Sequence, residues 1–197
     1  PKNIDFLEAA SLPLVGSSAI QAIEDSIKLT SGQKILIHGA AGGIGSIAVQ
    51  LAKHLGGYVA ATVSEKNKEF VKRLGADETI NYKKQKFEEI LKDYDAVYDT
   101  IGGEIGDKSF KILKKRGSIA SMKGQPNEEL VKKYEVTGVA VNTQTNNQHL
   151  QKLTQLVESG TVTPEVDKVF DLDQIKEAFI YKNNSHPRGK VVIKIKD

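Results

Sequence analysis

Glycines are concentrated between residues 39 and 45, where the sequence reads Gly-Ala-Ala-Gly-Gly-Ile-Gly. On the pattern G-x-G-x-x-G, Gly42 and Gly45 take the second and third glycine positions, and Ala40 replaces the first. A glycine at position 42 lets the backbone approach a pyrophosphate, and one at position 45 lets a helix pack closely on the preceding strand. The N–H groups and positive end of that helix would attract phosphates. The segment therefore predicts a phosphate-binding turn.

Two other interpretations of this segment are weaker. A tight strand-to-helix connection without a ligand would not need these glycines, which cost roughly 1 kcal/mol each within a helix. A Walker loop needs Lys followed by Ser or Thr after the last glycine, and here Ser46-Ile47 follow Gly45.

The end of the second predicted strand, residues 62–64, should select between NAD and NADP. An acid about 20 residues beyond the glycines would hold the free ribose 2′-hydroxyl of NAD. This strand end carries no acid, Ser64 can donate to a phosphate, and Lys66 and Lys68 offer positive charge. NADPH is therefore favoured. Glu65 keeps the alternative open, because a shift of one residue would place it at the ribose, and an exposed helix start explains the two lysines equally well.

Short apolar runs alternate with helical patterns around these residues. Strands are predicted at 34–38, 58–62, 79–81, 95–99, 118–121 and 136–141, and helices at 43–55, 65–74, 87–91 and 106–113. Strands that alternate with helices indicate a parallel sheet covered on both faces, and right-handed crossovers make it doubly wound. The predicted fold class is α/β, with a doubly wound parallel six-stranded sheet (Rossmann) and short flanking N- and C-terminal segments.

A single domain is expected over residues 1–197, since this length suits one core. Its predicted parts are lead-in helices over 1–30, a Rossmann core over 31–160, and a C-terminal helix and strand over 161–197. The lead-in pattern, 6–27, is broken near 13–16, and the later patterns predict helices at 150–158 and 173–181 and a strand at 190–195.

The composition excludes several classes of protein. The net charge is +3 with interleaved lysines, which gives no indication of nucleic-acid binding. No run approaches the roughly 18 apolar residues of a membrane span. The sequence has no Cys, so it offers neither disulfides nor a thiolate metal site, and we expect a cytoplasmic protein.

The scattered histidines, His38, His54, His149 and His186, have no metal-binding spacing, so no metal site is expected and the catalytic residues stay unassigned.

Five motifs, in this order along the chain, carry a family resemblance: 8–13 (Glu-Ala-Ala-Ser-Leu-Pro), 32–45 (with the glycine-rich turn), 74–77 (Leu-Gly-Ala-Asp), 80–82 (Ile-Asn-Tyr) and 189–192 (Gly-Lys-Val-Val). Together they resemble the medium-chain dehydrogenase/reductase superfamily, and most of all its zinc-independent quinone oxidoreductases. In that branch the turn commonly has the Ala-Ala-Gly-Gly form, so Ala40 fits the pattern.

The resemblance implies a set of coenzyme-binding residues. It places Ala41, Gly42, Gly43 and Ile44 at the pyrophosphate and Ser64, Lys68 and Tyr82 around the 2′-phosphate, with Tyr82 as a phenolic donor. It places Gly102 by the nicotinamide ribose, the Val139 backbone by the carboxamide, and Ser18, which matches a family Thr, near the nicotinamide. Beside Ser18, Ile20 stands where the family commonly has an aromatic residue.

The resemblance also implies an oxidoreductase that passes hydride from NADPH to a small-molecule acceptor, a quinone or an α,β-unsaturated carbonyl. Such enzymes carry a further barrel-like domain, so we expect this chain to be the coenzyme half of a longer one. A non-catalytic dinucleotide-binding or sensing module is the alternative. A homodimer through the uncharged edge strand 136–141 is expected, unless helix 150–158 folds across that edge and leaves a monomer.

Overall fold

The computed structural model describes residues 1–195 and contains a parallel sheet of six strands. These strands are β1 (Lys34–Ile37), β2 (Tyr58–Val63), β3 (Glu78–Asn81), β4 (Tyr94–Asp99), β5 (Leu113–Ser121) and β6 (Thr137–Ala140). Their spatial order is β3-β2-β1-β4-β5-β6, and every neighbouring pair is parallel. The order reverses between β1 and β4, which is the doubly wound arrangement. The predicted fold class is confirmed.

Helices cover both faces of this sheet. The helices are α1 (Phe6–Ala10), α2 (Pro13–Ile20), α3 (Gly43–His54), α4 (Lys68–Arg73), α5 (Phe87–Ile90), α6 (Glu104–Ser109), α7 (Glu128–Tyr134), α8 (Asn147–Glu158) and α9 (Ile175–Ser185). Of these, α1 and α9 contact chiefly the C-terminal strands rather than this sheet. A π-helical segment, Gln21–Ile27, continues α2. No helix within residues 1–195 has the length and apolar character that crossing a bilayer demands.

Strand β1 shows why the sheet is buried on both sides. Ile35 and Ile37 belong to one apolar cluster, which includes Ile20 of α2 and Ala48 of α3, whereas Leu36 belongs to the cluster on the opposite face. Side chains alternate along a strand, so a continuous apolar run feeds both layers. Helix α2 therefore shares the main core, and the proposed division at residues 30 and 160 stays a prediction.

The C-terminal segment forms a second, two-stranded parallel sheet from β7 (Val166–Asp171) and β8 (Lys190–Lys194). Just before β8, Gly189 forms a bridge with Gly42, and its N–H donates to the Ala41 carbonyl over 2.8 Å. The segment 161–195, the C-terminal arm, is thereby attached directly to the glycine-rich turn.

Several predicted boundaries were wrong. The lead-in break lies at residues 11–12, because Pro13 is tolerated in the first turn of α2. The helix predicted at 106–113 begins at Glu104 and its last turn is 3₁₀, and β5 begins at Leu113 instead of 118. Helix α7 and strand β7 were not predicted.

Candidate functional site

The glycine-rich turn leaves β1 and enters α3 with Gly42 as the N-cap residue. Gly39 has a left-handed φ of 67°, and its carbonyl accepts the Gly42 N–H over 3.0 Å. The first N–H groups of any α-helix have no partners within that helix, so those at the start of α3 can donate to groups outside it. They lie at the positive end of a helix of 12 residues.

Gly42 and Gly45, the two glycines of the pattern, differ in how much space surrounds them. A Cβ at Gly45 would stand 2.6 Å from the Ala40 Cα and closer still to the Gly39 carbonyl oxygen. A Cβ at Gly42 would meet only the Gly39 carbonyl oxygen, at the ordinary distance of 3.4 Å. The close helix packing predicted for Gly45 is therefore present. The protein's own packing does not require glycine at position 42, which leaves room for a ligand as the reason for it.

Gly43 lies where the turn meets the rest of the protein. Its added Cβ would stand 2.6 Å from the Lys190 Cδ and 3.3 Å from the Val15 Cγ1. The turn is thus held between α2 and the C-terminal arm. This arrangement fixes its backbone before any ligand arrives.

The tips of β2 and β3 form a second polar region. Val63 and Asn81 are paired in register, and the Tyr82 N–H donates to the Val63 carbonyl over 3.2 Å. Ser64, the residue after β2, therefore lies next to Tyr82, the residue after β3. The Tyr82 side chain is half exposed. The structure thus brings together Ser64 and Tyr82, which the sequence analysis assigned to one subsite.

Glu65 and Lys68 lie at the same tips. The Glu65 carboxylate is 3.0 Å from the Lys68 Nζ and accepts a hydrogen bond from the Asn81 amide over 2.7 Å. The hydrogen bond from Lys68, followed by that from Asn81, lowers the pKa of Glu65 below its usual value. Glu65, which left the choice between NAD and NADP open, is therefore paired with Lys68, whose charge favoured NADPH.

Lys66 does not contribute its side chain to the tips of β2 and β3. Its Nζ donates to the Ser185 carbonyl over 3.0 Å, and its own carbonyl accepts from Arg188 over 2.6 Å. The side chain therefore connects the start of α4 to the C-terminal arm. Of the two lysines considered, Lys68 is the one at the strand tips.

The carboxyl ends of β4 and β5 border a cavity of about 310 Å³. Buried Asp99 at the end of β4 accepts the N–H groups of Ile101 and Gly102, each over 2.9 Å. Gly102 has a φ of 80°, and a Cβ there would stand 2.6 Å from the Lys123 Cβ. Asp99 thus holds the loop that contains Gly102, a role that the sequence analysis did not assign.

The remaining two predicted residues lie near β6. Val139 pairs with Ala120 of β5 and is partly buried. Ser18 is fully buried, and its hydroxyl is 2.7 Å from the Thr143 Oγ1 and donates to the Leu14 carbonyl over 2.8 Å. The Ser18 hydroxyl is therefore engaged by the protein itself and ties α2 to the loop after β6.

His38, at the end of β1, has a structural role. Its ring nitrogens lie 3.0 Å from the Thr62 Oγ1 and 2.9 Å from the Ser109 Oγ. Burial lowers its pKa to about 4, against an opposing effect of the Asp99 charge, so the ring is neutral near pH 7. It joins β1, β2 and α6 directly behind the site.

Histidines elsewhere do not form a metal centre. His149 contacts Asp25 over 2.9 Å, between α8 and the π-helical segment. Within residues 1–195, no three side chains of the types His, Asp and Glu converge in a way that could hold a metal ion.

Asn81 was not predicted as a polar group of the site, and Asp99 was predicted only as part of the strand end 99–103 by the nicotinamide ribose, without a role of its own. Asn81 lay within the quoted Ile-Asn-Tyr motif, and Asp99 within the predicted fourth strand end. Their signal was position alone, since polar residues at the carboxyl ends of parallel strands are candidates for ligand contact.

The sheet order and the turn together define a doubly wound domain of the dinucleotide-binding class. The family model for zinc-binding dehydrogenases matches residues 74–193, which is more than half of the chain. The protein therefore belongs to the zinc-binding dehydrogenase family, within the medium-chain dehydrogenase/reductase superfamily that the motifs resembled.

Named relatives agree with this assignment. The chain is 39% identical to 2-methylene-furan-3-one reductase of Solanum lycopersicum. It is 38% identical to the chloroplastic NADPH-dependent alkenal/one oxidoreductase of Arabidopsis thaliana. Each match covers 98% of this chain and 48% of the relative. The quinone oxidoreductase of Coxiella burnetii superposes with a TM-score of 0.93 at 34% identity, over 100% of this chain and 63% of that one. The chain thus spans about half the length of the curated relatives it matches.

Proposed function

We propose that this chain is the NADPH-binding part of an oxidoreductase that reduces a quinone or an α,β-unsaturated carbonyl compound. The observation that carries the proposal is the open space at Gly42, at the N-terminus of α3, where a side chain would have no protein contact to prevent it. A pyrophosphate is the group that such a turn accommodates. The names of two relatives, an NADPH-dependent alkenal/one oxidoreductase and a quinone oxidoreductase, support the coenzyme and the class of acceptor.

In this proposal each region of the site holds one part of the coenzyme. The pyrophosphate lies against the backbone of the glycine-rich turn, at Ala41, Gly42, Gly43 and Ile44. Ser64, Lys68 and Tyr82 contact the 2′-phosphate at the tips of β2 and β3. Gly102 and the Val139 backbone lie towards the nicotinamide, and Ser18 acts there through Thr143 by fixing the loop after β6.

The bound coenzyme would supply the hydride. The chain's own contribution is to bind and orient, because hydride transfer needs a positioned nicotinamide and an oriented acceptor more than an acid–base pair. The Asp99 carboxylate fixes the loop of residues 100–103 beside the turn, and the Thr100 hydroxyl donates to the His38 carbonyl over 2.8 Å. These contacts give that side of the site a rigid wall.

A coenzyme titration tests the proposal on the natural full-length protein. NADPH should bind about tenfold more tightly than NADH, since a charge-assisted hydrogen bond contributes roughly 1.5 to 3 kcal/mol in a shielded site and less at an exposed one. Nicotinamide fluorescence gives both dissociation constants. Equal affinities, or a preference for NADH, would contradict the choice of NADPH.

Turnover distinguishes an enzyme from a binding module. NADPH oxidation, followed by absorbance, should depend on an added enone or quinone. NADPH binding without oxidation by either class of acceptor would favour the non-catalytic dinucleotide-binding or sensing module.

Three further features belong to the same proposal. We propose a homodimer through β6, supported by its position at the sheet edge and its lack of charged residues. We propose zinc-independent chemistry, supported by the resemblance of the five motifs to the zinc-independent branch of the superfamily. A cytoplasmic location stays a prediction, since named relatives include chloroplastic and mitochondrial proteins.

A further inference from the structure

Donors from three chain segments converge on the Glu65 carboxylate. The Lys68 Nζ, in the first turn of α4, is 3.0 Å away. The Asn81 Nδ2, at the end of β3, donates over 2.7 Å. The Lys84 Nζ, in the loop that follows β3, is 3.9 Å away. These three groups form an anion pocket at the tips of β2 and β3.

The Asn81 amide is a fixed part of this pocket. Asn81 is only 2% exposed, and its Oδ1 accepts the Lys83 N–H over 3.0 Å. Its backbone N–H donates to the Gln85 Oε1 over 3.0 Å. Because the oxygen of the amide is committed to the Lys83 N–H, the Nδ2 must point towards Glu65. A buried donor is therefore held in place and aimed at the pocket.

Glu65, in contrast, is easily displaced. Its side chain is 58% exposed, so it can turn out into water without opening the protein. A phosphate accepts hydrogen bonds from the same cationic and amide donors that a carboxylate does, and does so with more oxygen atoms and more charge. The Glu65 carboxylate can therefore leave the pocket, whereas the donor groups of the pocket remain when it does.

We propose that Lys68, Asn81 and Lys84 bind the 2′-phosphate of the coenzyme, and that Glu65 competes with it for this pocket and so weakens the preference for the phosphorylated coenzyme. The inference rests on the proposed function, which supplies the ligand. The lowered pKa of Glu65, caused first by Lys68 and then by Asn81, agrees with a carboxylate that these donors hold in its charged form. Asn81 and Lys84 become binding residues, and Glu65 becomes a specificity-determining residue.

Competition by Glu65 should lower the affinity for a 2′-phosphate and leave the affinity for an unphosphorylated ribose unchanged. Binding of the 2′-phosphate must break the contacts of Glu65, whereas binding of an unphosphorylated ribose need not. Exposed ion pairs of this kind correspond to a factor of about two to five in an equilibrium constant. Removing the charge of Glu65 should therefore raise the affinity for a 2′-phosphate by about that factor.

The probes are adenosine 2′,5′-bisphosphate and 5′-AMP, which differ at the 2′ position, titrated by calorimetry into the natural full-length protein. Glu65→Gln should bind adenosine 2′,5′-bisphosphate about two- to fivefold more tightly than the wild type and leave 5′-AMP unchanged. Asn81→Asp keeps the acceptor for the Lys83 N–H but replaces the donor by a charged oxygen, so it should weaken adenosine 2′,5′-bisphosphate at least tenfold. Melting temperatures check that both variants are folded.

Glu69→Gln is the matched control. It makes the same charge change four residues later, in the first turn of α4, but the Glu69 carboxylate pairs with Lys72 over 3.3 Å, outside the pocket. It should leave both affinities within twofold of the wild type. An equal gain for Glu69→Gln would reduce the effect to net charge and overturn the inference.

Two further results would also overturn it. No gain in Glu65→Gln would show that Glu65 does not compete. Weaker binding of 5′-AMP would show that Glu65 holds the 2′-hydroxyl, as an acid does in NAD-selective sites. In both cases NADPH would still bind and the proposed function would stand. If neither probe nor NADPH binds the wild-type protein, the proposed function fails together with the inference.

Discussion

Gly45 packs directly on the carbonyl of Gly39, in the turn that connects β1 to helix α3. Gly42 lies one helical turn earlier, in extended backbone with a φ of −80°, and its added Cβ would have an ordinary contact only. The two glycines of one motif therefore have separate roles. Gly45 serves the fold, and Gly42 is free to serve a ligand.

Gly45→Ala should destabilise the protein. The new methyl group would collide with backbone atoms of Gly39 and Ala40, which cannot move aside as a flexible side chain can. Overpacking of this kind costs about 1 to 3 kcal/mol. The free energy of unfolding in urea measures the loss. Gly42→Ala is the control and should stay within about 1 kcal/mol of the wild type; equal losses in the two variants would contradict the separation of roles.

Gly42→Val should abolish coenzyme binding while the protein stays folded. A branched side chain would occupy the space in front of the N–H groups of Gly43 and Ile44, where we place the pyrophosphate. We expect the affinities for NADPH and NADH to fall at least 100-fold, corresponding to about 3 kcal/mol, with a nearly unchanged melting temperature. Normal binding by a folded variant would show that the turn is not the phosphate site.

His38 should make stability depend on pH. Burial lowers its pKa from 6.5 to about 4, so between these values the unfolded chain binds a proton that the folded protein does not. The stability that His38 contributes is fully present above pH 6.5 and is lost as the pH falls towards 4. The free energy of unfolding should drop by about 2 kcal/mol from this group alone between about pH 7.5 and about pH 5.

His38→Asn isolates this effect, since it removes the titrating ring while other carboxylates continue to titrate. We expect the variant to be less stable than the wild type at pH 7.5, because it disturbs the contacts with Thr62 and Ser109. The gap between the two proteins should shrink by about 2 kcal/mol at pH 5. A gap that is constant with pH would show that His38 has an ordinary pKa in the folded protein.

The edge strand β6 should join two copies of the chain. Its outer side offers backbone groups to a partner strand, and Val139→Lys would place a charge there. Light scattering at micromolar concentration should find a wild-type dimer and a Val139→Lys monomer. Ile90→Lys, on the exposed end of α5, should remain dimeric. A wild-type monomer, or a dimer that tolerates Val139→Lys, would show that β6 is not the interface.

The sheet and the turn could be predicted because their signals are local. The apolar run of β1, the glycines after it and the helical spacing of α3 lie within residues 34–54, so one pattern contains strand, turn and helix. Helix α7 has a weaker local signal, Asn127 as the N-cap before two acids, that could have identified it.

Contacts between residues far apart in the sequence could not be predicted from local patterns. Strand β7 is largely exposed and pairs with β8, about 20 residues later in the chain, so neither its burial nor its partner shows in the nearby sequence. The direction of the Asn81 amide depends on the turn formed by Lys83 and Gln85. The sequence placed Asn81 at a strand end, but the hydrogen bonds that orient it are visible only in the folded protein.

The bridge from Gly189 to the glycine-rich turn bears on the order of folding. The two partners are separated by about 150 residues, so the turn acquires its brace only after nearly all of the described chain has been synthesised. The sheet can form earlier, from the strands near the N-terminus, because domains acquire their structure as the chain emerges. Competence to bind a phosphate at this turn should therefore follow the synthesis of Gly189, which makes ligand capture a report that the C-terminal arm has been made.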